Sequence, residues 1–460
     1  MALYFCFPYL LPLGLLGKNK RHILGFYLIA FLSYLNTHVS VDPVVLKSEA
    51  KGIGYFTIEK IRHPPFKNGS FLSYQGALTY FSCNGEHYTQ IPCTVLVKNT
   101  KGRPLANCDY LVEAKLRYSN HHFYNMVVDH WTPVEKTFSL AELRLNLKDR
   151  LRLYFKKHTT HPLTCDFFSS LGTGGVESKL LQEIFRWTGL SHTLAISGFQ
   201  YSWLLFALIG VASLFCPGRM TPVFLLISIT LYFFFIGESA SIKRAWMTSA
   251  IFCVGMMLSN KPNGLNSLGI AAAFSLIIDP ESLFSIGYQL SYMATYAILT
   301  IFPTADLAFQ KLFPNWKLEE LRQLRWHERS VVKSAQVIRQ MISLSIVASL
   351  STAPICLTHF GEYSWTGIFF NFFLPTAMTL SLLGVFASLI PWIGPTILSI
   401  NEWYSKNILE ILYWCGSNST QMIIYPLSTT FAIGITSSLI LLGAYLEYRR
   451  TLLTRIKLLV

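Results

Sequence analysis

The chain has 460 residues, of which 52% are hydrophobic and 13% charged, and its mean hydropathy is +0.39. This composition excludes an ordinary soluble protein, and the length allows many membrane spans. The formal net charge of +14 suits anionic lipid, a cytoplasmic charge bias or a polyanionic substrate, and by itself it does not choose among them. We therefore predict a polytopic α-helical membrane protein.

Residues 1–39 carry two apolar runs, 3–16 and 23–36, with the basic segment 18–21 between them. No small-residue cleavage site follows them, so they differ from a secretory signal. Each run is shorter than the ~20 residues of an ideal span, which leaves a tilted or interfacial placement open. We predict that residues 1–39 form a transmembrane hairpin.

An external domain with a different composition is predicted from residue 40 to 158. Gly, Pro, Asn and His become more frequent there, and short alternating segments stand between turn signals. These segments predict five strands, near residues 55–61, 77–82, 94–98, 110–118 and 122–128. Because five strands suit a small barrel such as an OB-fold, we predict a β-rich, OB-like insert.

An amphipathic helix is predicted at residues 139–157, at the end of this insert. Ser139 followed by Glu142 has the spacing of a capping box. Apolar side chains share one face of the helix, namely Leu140, Leu143, Leu147, Leu151 and Tyr154. The polar face is basic, and we expect it to rest on anionic lipid headgroups.

Residues 159–447 are predicted to form the membrane core. Eight or nine helices are expected from the apolar runs near residues 196–215, 221–236, 240–258, 264–278, 283–302, 341–357, 372–390, 397–415 and 430–447. Strict alternation places the basic breaks on one side, which should be the cytoplasm, namely Arg219, Lys261, residues 311–339 and the tail 448–460. The insert then faces the periplasm, so the sequence predicts a multi-pass protein of the bacterial inner membrane.

Four cysteines lie in or near the external region, namely Cys83, Cys93, Cys108 and Cys165. An oxidising periplasm permits disulfides, and four cysteines allow three pairings. A bond between Cys83 and Cys93 would close a short hairpin loop. Reduced, buried cysteines are the open alternative.

Signatures of enzymes are missing from the sequence. The segment GTGGVESK at residues 172–179 lacks the GKS or GKT step of a phosphate-binding loop. Ser197 does not stand in a G-x-S-x-G elbow, and no dense His and Asp cluster resembles a metal site. We therefore expect no catalytic residue, no metal, no cofactor and no enzymatic activity.

Three polar motifs interrupt the apolar core, and they carry a resemblance to a known family. They are HTLAISGFQY at 192–201, SIKRA at 241–245 and DPESLFSIGYQLSYMA at 279–294. In this order they resemble the core of the ComEC family of competence proteins. The resemblance implies an inner-membrane channel that takes up single-stranded DNA during natural transformation, and it extends from the amino-terminal hairpin through the OB-like insert to about residue 447.

Two departures from the family pattern are visible. Gln200 stands where the family usually has a second histidine, and an amide can hydrogen-bond but cannot take up a proton charge. Many members also end in a metallo-β-lactamase-like domain suspected of degrading one DNA strand, and the given sequence ends soon after its last apolar run. We expect any nuclease used in the pathway to be a separate protein.

A single DNA strand needs cations near its phosphates and a polar path through the membrane. Polar side chains within the motifs and the core are the candidates for this path, namely His192, Ser197, Gln200, Ser241, Lys243, Arg244, Gln289, Ser291 and Asn371. Glu238 is the expected counter-ion of Arg244, and a purely structural ion pair is the alternative. The resemblance points to Asn371 and Pro375 as family features.

The insert offers a second surface for DNA. Basic residues expected to contact a strand are Lys98, Lys101, Arg103, Lys115 and Arg117. Several tyrosines of the insert could stack on bases, although aromatic residues also form the core of any small barrel.

The expected partners follow from the family resemblance, and the absence of an ATP site adds an external motor to them. They are single-stranded DNA, the lipid bilayer, a cytoplasmic helicase or translocase that pulls the strand, and a periplasmic DNA receptor. Broken helices and intramembrane charge also fit a secondary transporter of a small anionic metabolite. A scaffold or a membrane enzyme with a catalytic polar core is a third class.

Overall fold

The computed structural model describes residues 49–64, 71–83, 85–118, 124–176, 178–190, 198–215, 220–237, 239–258, 263–311, 325–364, 366–418 and 422–459. The predicted hairpin at 1–39 lies outside these residues. The described chain divides into two compact units. The barrel unit contains the residues from Glu49 to Ile184 and Ser381–Ile411, and the helical unit contains Phe185–Leu380 and the residues from Leu412 onwards.

The barrel unit begins with six strands. They are β1 (Ala50–Arg62), β2 (Phe71–Cys83), β3 (Glu86–Tyr88), β4 (Ile91–Lys98), β5 (Cys108–Tyr118) and β6 (Tyr124–Lys136). The five longer strands lie where the alternating segments predict them. The short β3 was not predicted, because three residues do not show a periodicity.

The five longer strands form a closed ring in the order β1-β2-β4-β6-β5, because β1 pairs with both β2 and β5. The β4–β6 pairing is parallel and the others are antiparallel. Closure leaves no free edge among these strands. Gly76 permits the close approach of β1 and β2, since a Cβ at this position would lie 1.9 Å from the Thr57 carbonyl oxygen.

Alternating side chains of the strands fill the barrel. Phe56, Leu72 and Phe81 are completely buried. Trp131 contacts the rings of Tyr74 and Tyr110 edge-on, at centroid distances of 6.5 and 5.3 Å. Several of the tyrosines considered for base stacking are therefore core residues, and burial of such rings is a main source of the stability of a small barrel.

Helix α1 (Leu140–His158) follows the barrel, within one residue of its predicted bounds. The Ser139 hydroxyl accepts a hydrogen bond from the Ala141 amide at 3.2 Å, as a helix cap does. Glu142 does not complete the predicted capping box, because its carboxylate binds Arg103. Helix α2 (Pro162–Thr173) comes next and ends at Gly174, whose φ of +74° favours glycine.

The remaining helices are α3 (Lys179–Trp187), α4 (Gly198–Phe215), α5 (Thr221–Ile236), α6 (Ala240–Met257), α7 (Gly264–Ile278), α8 (Ile286–Thr300), α9 (Phe302–Phe309), α10 (Trp326–Phe360), α11 (Thr366–Ala387), α12 (Gly394–Asn418) and α13 (Thr429–Leu459). A 3₁₀ turn, Pro280–Phe284, precedes α8. Two short strands, β7 (Glu362–Ser364) and β8 (Met422–Ile424), pair antiparallel in the helical unit.

Three of these helices are long and apolar enough to cross a membrane, namely α10, α11 and the Thr429–Leu453 part of α13. Helices α5 and α7 are apolar but shorter. Pro354 lies inside α10 and Pro375 inside α11, which removes one helical hydrogen bond at each site. The described part of the chain is therefore mostly helical, with three candidate membrane spans and an amino-terminal β-sheet region.

The end of α11 and most of α12 belong to the barrel unit. The Glu402 carboxylate accepts hydrogen bonds from the backbone amides of Thr160 and His161, each at 2.7 Å. These amides lie at the amino-terminal end of α2, where a negative charge is favourable. Glu402 therefore connects two parts of the unit that are more than 200 residues apart in the sequence.

Candidate functional site

The three polar motifs of the sequence meet at the side chain of Arg244. The Nε atom of Arg244, on α6, donates a hydrogen bond of 2.7 Å to the Ser291 hydroxyl of α8. Gly198, at the start of α4, lies against the other side of the guanidinium. A Cβ at Gly198 would stand 2.2 Å from Nη2 of Arg244, so only glycine fits there without a shift.

Arg244 is only 9% exposed. Within the described ranges, the bond to Ser291 is the one hydrogen bond of its guanidinium, and no carboxylate lies within 4 Å. Glu238, the expected counter-ion, lies outside the described residues. A buried guanidinium is costly unless it is paired, and its Nη groups can bind an anion in a bidentate way.

Neighbouring side chains hold this site on rigid helices. The Tyr292 hydroxyl lies 3.2 Å from the Ser275 hydroxyl, which connects α8 with α7. The Ser275 hydroxyl also donates to the sulfur of Met247 on α6 at 3.4 Å. The rings of Tyr288 and Tyr292 stack with centroids 4.1 Å apart. Arg244 thus sits on a framework of three helices rather than on a loop.

Gln289 belongs to a separate cluster. Its Nε2 atom donates to the Leu283 carbonyl oxygen at 2.9 Å, and its Oε1 atom lies 3.1 Å from Nε2 of His359. Residues two apart on a helix point to different faces, so Gln289 and Ser291 do not share one surface of α8. The predicted role of Gln289 in the DNA path has no support from these contacts.

Asn371 lies in a polar seam between α10 and α11. Its Nδ2 atom donates to the Ser349 hydroxyl at 3.3 Å, and the Ser345 hydroxyl donates to the Ile368 carbonyl oxygen at 2.6 Å. The Oδ1 atom of Asn371 is buried and has no partner among the described residues. Small hydroxyl residues at such a seam permit close helix packing.

The other path candidates are placed as follows. Ser241 and Lys243 are half-buried in the first turn of α6, and Ser241 is one turn before Arg244 on the same face. Gln200 is buried on α4. His192 and Ser197 lie outside the described residues.

A buried ion pair in the helical unit was not predicted from the sequence. The Arg339 guanidinium donates to both carboxylate oxygens of Asp306, at 3.1 and 3.2 Å. Gln310 also donates to Asp306, at 3.0 Å. The sequence predicts that Arg339 lies at the end of the basic loop 311–339. Its pairing with Asp306 on α9 could not be predicted, because no local pattern indicates this contact.

The external DNA-contact candidates divide into two kinds. Lys98, Lys101 and Lys115 are exposed, and Arg117 is exposed with a hydrogen bond of 2.7 Å to Glu49. Arg103 is different, because its Nη1 atom donates to Glu142 at 3.1 Å and to the Tyr74 hydroxyl at 3.0 Å inside the unit. We therefore correct the assignment of Arg103, which is a structural residue.

The charge state of Arg103 agrees with this role. Burial acts to lower the pKa of Arg103, but the hydrogen bonds to Glu142 and Tyr74 outweigh burial and raise it overall. Burial likewise raises the pKa of the Tyr74 phenol, against the opposing effect of Arg103. The network therefore contains a charged pair and a neutral phenol, which leaves no free donor set for a phosphate.

The predicted disulfide between Cys83 and Cys93 is excluded by the strand register. Cys93 on β4 stands opposite Gly76 on β2, and Cys83 lies seven residues further along β2 (76 to 83). At about 3.3 Å per residue, seven residues of an extended strand span about 23 Å, far beyond the ~7 Å limit between the Cα atoms of a disulfide. Cys83, Cys93, Cys108 and Cys165 are all free.

Comparisons with known proteins place the convergent motifs in one matched region. A model of the family described as Competence protein matches residues 170–450. The chain is 23% identical over 209 residues to ComE operon protein 3 of Bacillus subtilis (strain 168), which covers 45% of this chain and 24% of that relative. The chain thus matches about a quarter of the relative's length. No solved structure matches the chain.

Proposed function

We propose that this protein is a multi-pass inner-membrane channel for single-stranded DNA in transformation. The chain belongs to the Competence protein family, whose model matches residues 170–450. Membership of the family indicates a role in DNA uptake. The observation that carries the more specific proposal is the buried, carboxylate-free guanidinium of Arg244, at which three separate polar motifs meet among the described residues.

Arginine suits the proposed task for chemical reasons. Its guanidinium keeps its charge in any protein environment and presents a planar fork of donors that matches a phosphate. A hydrogen bond to Ser291 orients the Nε side of Arg244, and Gly198 leaves room beside Nη2. In this proposal the Nη groups bind the phosphates of the passing strand one after another.

We further propose that the barrel is of the OB type and faces the periplasm. The closed ring with one parallel pairing, β4 with β6, supports the first part of this proposal. Exposed Lys98, Lys101 and Lys115 would attract the strand, and the ring of Tyr55, which is 43% exposed, would stack on its bases.

Several partners and a non-enzymatic role are part of the proposal. The chain provides a path and does not hydrolyse DNA or a nucleotide. A cytoplasmic helicase or translocase pulls the strand, a periplasmic receptor delivers it, and a separate nuclease removes the other strand where one is used.

Transport into proteoliposomes tests this function. The purified chain is reconstituted with a helicase inside the vesicles, and nuclease-protected fluorescent single-stranded DNA is measured. We expect protected DNA with the wild type and with Lys333→Gln, which removes an exposed charge from the start of α10, but not with Arg244→Gln. Equal transport by Arg244→Gln and wild type would remove the basis of the proposal.

A secondary transporter of a small anion is the competing function, because one buried guanidinium also fits a single phosphate or carboxylate. Uptake of labelled inorganic phosphate distinguishes the two. Phosphate uptake that depends on Arg244 and is insensitive to added single-stranded DNA would favour the transporter.

A further inference from the structure

Helix α1 turns its leucine face away from the barrel. Leu140, Leu143 and Leu147 are exposed, Leu143 by 49%. The residues that α1 buries are Ala141, Glu142, Leu145 and Phe155. An amphipathic helix on a soluble domain normally buries its apolar stripe against that domain. In α1 these three leucines of the stripe face outward instead.

Polar contacts fix the helix in this orientation. Glu142 pairs with Arg103 in the buried network described above. Further along the same side, Asp149 accepts a hydrogen bond of 2.6 Å from Arg152, and its Oδ1 atom lies 3.2 Å from Nε2 of His63, the residue after β1. The side of α1 that carries Glu142 and Asp149 therefore faces its own unit, and the leucines cannot turn inward without breaking these contacts.

A second apolar element lies beside this face. The turn 388–393 follows α11, and its Leu389, Ile390, Trp392 and Ile393 are all exposed, Trp392 by 97%. Trp392 also has a φ of +68°, a conformation that bulky residues rarely adopt. The turn thus presents a large aromatic ring fully outward at some conformational cost.

Tyr154 joins the two elements. It lies on the leucine face of α1, seven residues after Leu147, and its hydroxyl donates a hydrogen bond of 2.6 Å to the Ser388 carbonyl oxygen at the start of the turn. We name the apolar residues of these two elements together the α1–turn surface, and define it by Leu140, Leu143, Leu147, Leu389 and Trp392. All five residues belong to the barrel unit.

We propose that the α1–turn surface rests in the headgroup region of an anionic lipid bilayer. This inference goes beyond the channel function, and it rests on the proposed membrane location of α11. Helix α11 has 22 residues, about 33 Å, which suits one span. The turn begins directly after α11 ends, so continuity of the chain places it at the membrane surface.

The side chains of the surface suit such a location. Tryptophan is enriched where lipid headgroups meet the hydrocarbon, since its ring is apolar and its N–H is polar. Arg150, Lys156 and Lys157 are exposed on α1, and Arg150 is one turn after Leu147 on the same face. Their long side chains can reach anionic headgroups while the leucines enter the bilayer. The sequence had suggested that the polar face of α1 meets the headgroups, whereas the structure places the leucine face outward.

Depth measurements by spin labelling test the proposal in the full chain. The native cysteines are replaced, and single labels are attached at Leu143→Cys and Trp392→Cys in proteoliposomes that contain phosphatidylglycerol. Leu380→Cys on α11 reports the membrane location itself, and Val127→Cys, at an exposed apolar position of β6, is the matched control. Accessibility to oxygen and to a water-soluble nickel chelate is measured at each label.

We expect a deep label at 380, shallow but membrane-bound labels at 143 and 392, and a water-exposed label at 127. A deep label at 380 with water-exposed labels at 143 and 392 would overturn this inference and leave the channel proposal intact. A water-exposed label at 380 would instead overturn the membrane location. Labels at 143 and 392 that are shielded from both reagents would show that a protein covers the surface, which also overturns the bilayer proposal.

A second measurement avoids the cysteine replacements and tests the charge. Quenching of tryptophan fluorescence by lipids brominated near the headgroups is compared between the wild type and Trp392→Phe. The proposal predicts that Trp392→Phe lowers the quenched fraction. It also predicts a smaller difference when phosphatidylcholine replaces phosphatidylglycerol, and an unchanged difference would contradict the role of anionic headgroups.

Discussion

The barrel unit and the helical unit treat an enclosed arginine side chain in opposite ways. Arg103 in the barrel unit is enclosed by Glu142 and Tyr74, and its donors are used inside the unit. The guanidinium of Arg244 in the helical unit donates its single hydrogen bond within the described residues to a serine. Because a buried charge is costly without partners, the first arrangement serves stability and the second is suited to a ligand.

A third arginine shows that the difference does not come from the helical environment alone. Arg339 is also buried in the helical unit, and it pairs with Asp306. The helical unit can therefore supply a carboxylate to an arginine. That Arg244 has none within the described residues is a feature of this site, and the following substitutions test it.

The largest expected effect is on stability, through the pair of Arg103 and Glu142. Arg103→Met leaves the Glu142 carboxylate buried and unpaired, which should cost about 3–5 kcal/mol of stability. In the full chain we expect faster hydrogen exchange of the α1 amides between Leu140 and Leu147. The double variant Arg103→Met/Glu142→Leu should restore much of the protection, and equal exchange in wild type and Arg103→Met would show that the pair does not hold the helix.

The next effect is on Arg244, through its neighbour Gly198. Gly198→Ala should reduce DNA uptake about 10- to 100-fold, because its methyl group displaces the guanidinium and hydrogen bonds to charged groups contribute about 1.5–3 kcal/mol. Gly210→Ala, on the same helix with open space around it, is the matched control and should retain uptake. Transformation frequency at equal membrane levels is the measurement. A similar decrease in both variants would point to a general effect on α4.

A smaller effect concerns Asp149 in the contact between α1 and the barrel. Burial acts to raise the pKa of this carboxyl, but His63 and Arg152 outweigh burial and lower it. A lowered pKa stabilises the fold above the unfolded value near 4, and this contribution is lost as the pH falls through the folded value. Since Asp149 is partly exposed, we expect no more than about 1 kcal/mol.

Thermal unfolding measures this contribution. The difference in melting temperature between the wild type and Asp149→Asn should be positive at pH 6 and disappear toward pH 2. A difference that persists at pH 2 would mean that the charge of Asp149 is not its source.

Local patterns predicted much of the architecture. The five long strands and α1 were predicted from alternation and from the leucine spacing, since both depend on neighbouring residues. The short β3 and the missing capping box at Glu142 were not, because Arg103 competes for that carboxylate from a distant loop. The membership of Ser381–Ile411 in the barrel unit was not predicted either, because its contacts, such as that of Glu402 with His161, join residues far apart in the sequence.

The sequence predicted which motifs contribute to the candidate site, but not the contacts between their residues. Ser291 and Arg244 were both candidates, but their hydrogen bond spans 47 residues and was not visible in the sequence. The need for glycine at 198 also appears only when the guanidinium of Arg244 is placed. Conversely, Arg103 and the Cys83–Cys93 bond are suitable by residue type, and only the contacts of Arg103 and the strand register exclude them.

The central claim is that Arg244 binds the phosphates of the passing strand. The most direct measurement compares the uptake of a normal DNA strand with that of a strand whose linkages are uncharged methylphosphonates. We predict that the wild type and Lys333→Gln prefer the charged strand strongly, and that Arg244→Gln loses most of this preference while it remains at normal levels in the membrane. A preference for the charged strand that is the same in Arg244→Gln and in the wild type would contradict the account.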